Sequence, residues 1–419
     1  MAEERANSTL PFNLFSPEVL QDPYPLYTRI RSSEPVCWYE PMKAWLCMRY
    51  EDVKGGLRDR RLSSGKGKYT KGIDRLPPNM RERFTPLAEV FERQFRFFDP
   101  PDYFQFRHTL NEIFSFDLIQ QFRPSIERTV DELLDRTSGQ RMDLIGEFAY
   151  HLPALVIAKM LDVADADRSW LVRSADDLAD YLGSFPPSEA QIAKAQESTL
   201  KMDTYFSARA QHCRQRLGKD PMSLLIGFKL GGKGMTDGEV STQCIMLLFA
   251  GNETTRNLIG NGFKALLTHP TEMERLKENP ALIGSAIEEF LRYESPVQFI
   301  SRVAKEDLQI GEKRIAGPIR SVGGQREGEP VLLFIGAANR DPEQYSDPDG
   351  LDIARKNNNH LAFGHEAHMC VGASLARMEA QVAFATILRR MPHLRLETKD
   401  LEWRPNLNFR GLKALRVVW

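Results

Sequence analysis

This sequence of 419 residues predicts a mainly α-helical protein with a small β subdomain. Between about residue 100 and residue 300, apolar side chains recur at three- and four-residue steps, the period of helices with one buried face. Nearer the ends of the chain lie runs that suit a pleated surface: Ala44 to Tyr50, Glu329 to Ala338 and Lys413 to Trp419. No Pro/Gly/Ser-rich linker, charge block, internal repeat or low-complexity tract divides the chain, so a single domain over 1–419 is expected.

Composition narrows the class. Charged residues are 27% and hydrophobic ones 42%, enough apolar side chain for a deep core. A formal net charge of -1 gives no overall attraction to nucleic acid or to anionic membranes. The opening "MAEERANSTLPFNLF" has charges and a proline where a secretory signal needs an apolar stretch. The longest apolar runs, Cys244 to Gly251 and Val331 to Ala338, are too short to span a bilayer. A cytoplasmic protein bound to neither membrane nor nucleic acid is therefore expected. Cys37, Cys47, Cys213, Cys244 and Cys370 are scattered and odd in number, which argues against a disulfide framework.

The helical pattern is longest from Thr236 to Pro270. Thr236 followed by Glu239 forms a capping box, and Pro270 supplies the stop. Roughly thirty residues at 1.5 Å each give about 45 Å, the width of a domain. Its middle, Ala250 to Thr255, reads "AGNETT", and the glycine alone costs roughly 1 kcal/mol in a helix. A weak spot with an acid and a hydroxyl beside it predicts a local bend facing a site.

The segment "HLAFGHEAHMCVG", His360 to Gly372, holds three histidines and a cysteine. A buried small hydrophobe is the bland reading of Cys370. A zinc site of His360, His365, His368 and Cys370 fails on spacing, because structural zinc draws paired ligands from two separated knuckles. Haem ligation by Cys370 is the third reading. The residues after Cys370 have helical periodicity, so the thiol stands at a helix N-terminus, where free N–H groups and the dipole favour thiolate.

Phe363-Gly364 through His368, Cys370 and Gly372 resembles the haem-ligand loop of the cytochrome P450 superfamily, F-G-x-G-x-H-x-C-x-G. Glu289 to Arg292 is similar to that family's E-x-x-R, and Ala250 to Thr255 to its A-G-x-[DE]-T-T. "AANRDPEQYSDPDGLDIAR", "DPYPLYTRIR" and "NFRGLKALRVVW" resemble further segments of bacterial members, so the likeness runs through nearly the whole chain.

The resemblance implies the P450 fold, with haem b between the long central helix and the cysteine loop and helix, and with Cys370 as axial iron ligand. It implies that Phe363 packs beside the thiolate, while Gly364 and Gly372 let backbone pass close to the macrocycle. His368, Arg302 and Arg107 match positions that bind haem propionates, a role that charge-assisted donors suit. Glu289 and Arg292, joined by Arg355, are implied as a buried structural set. Glu253 and Thr254 match the acid–alcohol pair that delivers protons during dioxygen activation, with Ala250 and Gly251 leaving room for dioxygen and substrate. The competing reading of that pair is a threonine bonded back to its own helix and a glutamate in solvent. Pocket walls are expected from Leu247, Val297, Phe299, Ile300, Leu407 and Phe409.

Three features depart from the pattern. Glu366 stands where the family has glycine, and a positive φ there would cost a non-glycine residue on the order of 1 kcal/mol. Tyr103 stands where many relatives have histidine near the propionates, and a phenol brings no positive charge. Gly311 to Pro330 is longer than the usual tight hairpin, an extended hairpin or surface loop with Lys313, Arg314, Arg320 and Arg326 exposed.

The implied activity is a haem-thiolate monooxygenase that oxidises a small or medium organic molecule with dioxygen, in secondary-metabolite biosynthesis. The chain has no dinucleotide-binding glycine fingerprint and no fused reductase, so a ferredoxin or flavodoxin with its reductase is the implied electron source, docking near Arg377, Arg389 and Arg390. A monomer is expected. The alternatives are a peroxygenase or oxidative coupling enzyme on the same fold, or a non-catalytic haem sensor.

Overall fold

The computed structural model describes residues 11–65, 78–137, 139–184, 187–321 and 324–419, with backbone alone at 79, 319–321 and 324–326. Helices dominate, and the strands form small sheets. The chain divides into two compact units. The first comprises Met1–Gly65, Lys264–Cys370 and Glu402–Lys413; the second comprises Lys66–Phe263, Val371–Leu401 and Ala414–Trp419.

The first unit is built on a five-stranded mixed sheet. Its strands lie in the order Val36–Tyr39, Ala44–Cys47, Pro330–Leu333, Ile300–Ala304, Leu62–Ser63. Only the pairing of Ala44–Cys47 with Pro330–Leu333 is parallel. Both faces of the sheet are covered. Val36, Trp38, Trp45, Cys47, Val331 and Leu333 enter one apolar cluster, and Cys37, Tyr39, Ala44, Leu46 and Leu332 enter another. That alternation is the period-two geometry of a strand, and burial on both sides explains why these strands read as unbroken apolar runs.

Each strand is shorter than its apolar run. After Cys47 the chain turns and a helix begins at Tyr50, whose backbone N–H donates to Asp341 Oδ2 at 2.7 Å. After Leu333, Ile335–Ala338 forms a fully buried helical turn, an ambiguity inherent in short apolar runs. The last strand is Arg416–Val418, the middle of a three-stranded sheet in the second unit. Gly311 to Pro330 contains the second strand of one hairpin, Leu308–Ile310 with Lys313–Ile315, and then a further strand pair, Ile319–Ser321 with Gly324–Arg326. Lys313 is half-buried and reaches Glu34 at 3.1 Å, whereas Arg314 is exposed and pairs with Asp307 at 2.6 Å. The side chains of Arg320 and Arg326 lie outside the described residues.

In the second unit the helix Asp237–Thr268 runs the expected course. Its capping box is formed: the Thr236 N–H donates to Glu239 Oε2 at 2.8 Å, and the Glu239 N–H donates to Thr236 Oγ1 at 3.2 Å. The helix stays α throughout, so the expected weak spot inserts neither a π nor a 3₁₀ turn. Phe263 stacks on Phe384 of the helix Ala373–Arg390, with ring centroids 4.0 Å apart and planes 4° from parallel. No single helix among the described residues is long and apolar enough to cross a membrane.

Candidate functional site

The cysteine loop is shaped by backbone conformation. Gly364 has φ +73° and Glu366 φ +55°, both left-handed, and Glu366–His368 forms a short 3₁₀ turn. The Cys370 N–H then donates to the Phe363 carbonyl at 2.7 Å, which closes the loop and leaves the Cys370 side chain exposed. Cys37, Cys47 and Cys244 are buried and Cys213 half-buried, so the bland reading of Cys370 as a buried hydrophobe does not hold. Gly372 caps the helix Ala373–Arg390 at φ −81°, a conformation open to any residue. The histidines are turned to separate partners: His360 Nε2 lies 3.1 Å from Glu288, His368 Nε2 2.9 Å from Ser64 Oγ, and His365 3.7 Å from Glu366. Among the described residues no three His, Cys, Asp or Glu side chains gather at a metal-ion position.

Arg302 sits in the strand Ile300–Ala304, 7% exposed, and donates to its neighbour's carbonyl, Ser301 O, at 3.1 Å. In the second unit Arg107 is half-buried; its Nε donates to Asn111 at 2.9 Å and its Nη1 to the Tyr103 hydroxyl at 3.4 Å. Tyr103 is buried, and its phenol oxygen accepts from the arginine. Of the basic residues expected at a docking face, Arg390 is committed to Asp131 at 3.1 Å and Asp135 at 2.6 Å.

Glu289 is fully buried and receives five donors. Arg292 reaches both its oxygens at 2.8 Å, and Arg355 Nε lies 3.1 and 3.2 Å from them. Asn358 Nδ2 and the Asp352 N–H complete the set at 3.1 and 3.0 Å. Arg292 further binds the carbonyls of Asn339, Pro348 and Gly350. Such a set fastens a loop to a helix without offering a reactive group.

On the long helix every residue from Val240 to Phe263 is buried except Ala250, Gly251 and Thr254. With Leu247, which is buried, these occupy one face at helical spacing. The Thr254 hydroxyl donates to the Ala250 carbonyl at 2.7 Å, the back-bonded arrangement. Glu253 is not in solvent. It is 2% exposed, ion-paired with Arg256, and accepts from Asn257 Nδ2 at 3.0 Å. Arg256 also reaches Asp176 at 3.0 Å, and Asp176 accepts the Tyr150 hydroxyl at 2.6 Å. Burial and that bond to Asp176 push the Tyr150 phenol far above its ordinary range. A side chain at Gly251 would meet Ile157 of the helix Leu152–Met160 at 3.4 Å, an ordinary van der Waals contact.

The expected pocket walls divide. Val297 bridges Phe409, and the Gln298 N–H donates to Asn408 O at 2.8 Å, which gathers this part of the set. Phe299 and Leu407 are buried and belong to one apolar cluster, with the Phe299 ring 5.2 Å from Phe334. Val297 and Ile300 are half-buried, and Ile300 Cδ1 lies 3.8 Å from where a side chain on Gly364 would begin.

Sequence reading missed three groups: Ser64 against His368, the Arg256–Asp176–Tyr150 network, and Glu379. Burial holds the Glu379 carboxyl well above the ordinary carboxylate range, and its Oε2 has no hydrogen-bond partner. Each pairs or buries residues distant in sequence, and no local spacing announces them.

The residues present fit a haem on two counts. The exposed thiol ends a loop with left-handed backbone at Gly364 and Glu366, and a half-open stripe of Ala250, Gly251 and Thr254 interrupts a buried stretch of the long helix.

Comparison with known proteins agrees. A family model described as Cytochrome P450 matches residues 172–408. The biotin biosynthesis cytochrome P450 of Bacillus subtilis (strain 168) is 35% identical, over 98% of this chain and 100% of that protein. Cytochrome P450 107B1 of Saccharopolyspora erythraea is 37% identical, over 96% of each. Among solved structures, P450BioI in complex with an acyl carrier protein ligated to hexadec-9Z-enoic acid superposes with a TM-score of 0.86 and 36% identity, covering 96% of this chain and 100% of that one.

Proposed function

Because the chain belongs to the cytochrome P450 family of haem-thiolate oxidoreductases, we propose that it is a cytoplasmic monooxygenase that inserts one oxygen atom from dioxygen into a small or medium organic substrate in a biosynthetic pathway. The observation that carries this reading is the exposed Cys370 thiol at the end of the left-handed loop. Haem b bound through that thiolate supplies the reductive activation of dioxygen. Cys370 would hold the haem iron through its sulfur, and its place before the helix Ala373–Arg390 favours the thiolate form. Arg302, His368 and Arg107 neutralise the propionates, with Tyr103 holding Arg107. Thr254 positions water on the open stripe, and Glu253 carries protons toward it. Val297, Ile300, Phe409, Leu247 and Ala250 line the substrate pocket and keep water out. A ferredoxin or flavodoxin with its reductase delivers electrons, and 1–419 acts as a single haem domain and a monomer.

An acyl chain presented on a carrier protein is the second reading for the substrate, favoured by the relative solved with such a complex. The first test is the spectrum of the reduced protein with carbon monoxide, beside Cys370→Ser. A strongly red-shifted Soret band that the substitution abolishes is expected; a band at the position of histidine-ligated haem in the wild type would overturn thiolate ligation. Free and carrier-bound hexadecenoic acid, compared as ligands in spectral titrations, separate the two substrate readings.

A further inference from the structure

Of the three histidines between His360 and Gly372, His360 is engaged at both ring nitrogens. Its side chain is 3% exposed, and its Nε2 lies 3.1 Å from Glu288 Oε2. Its Nδ1 accepts the Ala362 N–H at 3.2 Å. A neutral imidazole carries one proton, so with Nδ1 accepting, it is Nε2 that donates to the carboxylate. The tautomer is thereby fixed from both sides. Glu288 stands on the helix Ile283–Tyr293, directly before the Glu289 that holds Arg292 and Arg355.

What His360 holds leads to the thiol. Its bond to Ala362 reaches two residues along the chain, the span over which an asparagine side chain closes an Asx turn. The next residue is Phe363, whose ring centre lies 5.9 Å from that of His360. The Phe363 carbonyl in turn accepts the Cys370 N–H at 2.7 Å. Leu361 is tied as well: its N–H donates to Asn339 Oδ1 and its carbonyl accepts the Gly364 N–H, each at 2.8 Å. The stretch from His360 to Gly364 is therefore fastened at successive residues, and His360 supplies the acceptor for the one just before Phe363. A solvated histidine beside an acid would fix neither ring nitrogen; a buried one with both assigned orients whatever it bonds.

We propose that His360 and Glu288 are positioning residues for the thiolate: Glu288 fixes the His360 tautomer, His360 fixes Ala362 and Phe363, and Phe363 so placed limits the access of water and hydrogen-bond donors to the Cys370 sulfur, which sets the haem reduction potential. This rests on the reading of Cys370 as haem ligand. A thiolate donates less strongly to iron as water and N–H groups reach its sulfur, and reduction of the iron then becomes easier. The pair acts through the loop alone; no proton or electron passes along it.

The test uses the substrate-free holoprotein and reads its reduction potential, the lifetime of the red-shifted carbon monoxide band of the reduced protein, and the melting temperature. His360→Phe keeps a ring but removes the acceptor. It is expected to shift the reduction equilibrium about tenfold toward the reduced haem, about 59 mV for one electron, and to shorten the lifetime of the band several-fold. His360→Asn, which can accept the Ala362 N–H in an Asx turn, brings both back to within about twofold of the wild type. Glu288→Leu moves both in the same direction as His360→Phe. The double variant goes no further than His360→Phe, because the two residues act in series. If His360→Phe fails to fold or to hold haem, Glu288→Leu and His360→Asn carry the test. Melting temperatures that fall while the potential and the band lifetime stay at their wild-type values would overturn the proposal and leave a merely structural pair. A wild-type band at the position of histidine-ligated haem would overturn the thiolate reading and the proposal with it.

Discussion

Glu366 shows how one residue stores strain in the loop that leads to Cys370. Its φ of +55° is the left-handed conformation that a Cβ disfavours. The side chain is largely exposed and its carboxylate lies 3.7 Å from His365, a contact too weak at the surface to offset the strain. Glu366→Gly is expected to raise stability by about 1 kcal/mol and to improve haem retention. The check is the melting temperature with haem content held equal; an unchanged or lower value counts against it. This position was legible from sequence, because the loop pattern places a glycine there. Glu379 was not. A glutamate inside "RMEAQ" reads as an ordinary helix-surface charge, and only the packing of its helix removes water from it.

At the scale of elements, what could be read was local. The Thr236–Glu239 box starts the long helix and residues around Pro270 end it, because both signals act within one turn. The E-x-x-R spacing put Glu289 and Arg292 on one turn of Ile283–Tyr293, and family pattern supplied Arg355. Arg355→Leu deletes one of the donors to a fully buried carboxylate and is expected to cost about 2 kcal/mol, measured as a shifted denaturation midpoint at unchanged m-value. The Arg256–Asp176 contact joins residues 80 apart, and Ser64–His368 residues 304 apart. Such pairings are set by how helices and strands cross, which no single-chain periodicity encodes. Strand lengths failed for a related reason: Ile335–Ala338 is apolar because it is buried, and burial alone does not choose strand over helix.

For the molecule as a whole, two buried glutamates pull the pH dependence of stability in opposite directions. Burial would raise the Glu294 pKa, but Arg410, Lys264 and Arg340 outweigh it and bring the value to about 2. Its stabilisation is present above the unfolded carboxylate pKa and is lost as pH falls toward 2. Glu379 has the opposite sign: its neutral form is favoured below the unfolded pKa, and stability is lost as pH rises toward its elevated folded value. Glu294→Gln is therefore expected to lower the melting temperature at neutral pH, with the difference shrinking on acidification. Glu379→Gln should raise it, more at pH 8 than at pH 5. Parallel pH slopes for either variant and the wild type would contradict the corresponding assignment.

The two units are woven from alternating stretches of chain, and this bears on when folding can finish. Glu402–Lys413 belongs to the first unit, where the Arg410 N–H donates to Pro296 O and its side chain pairs with Glu294. Ala414–Trp419 belongs to the second, where Arg416–Val418 is the central strand of a three-stranded sheet. A chain without residues 402–419 lacks a part of each unit. Neither unit can complete its core before residues 402–419 join it, so the two units finish folding on the same late segment of chain.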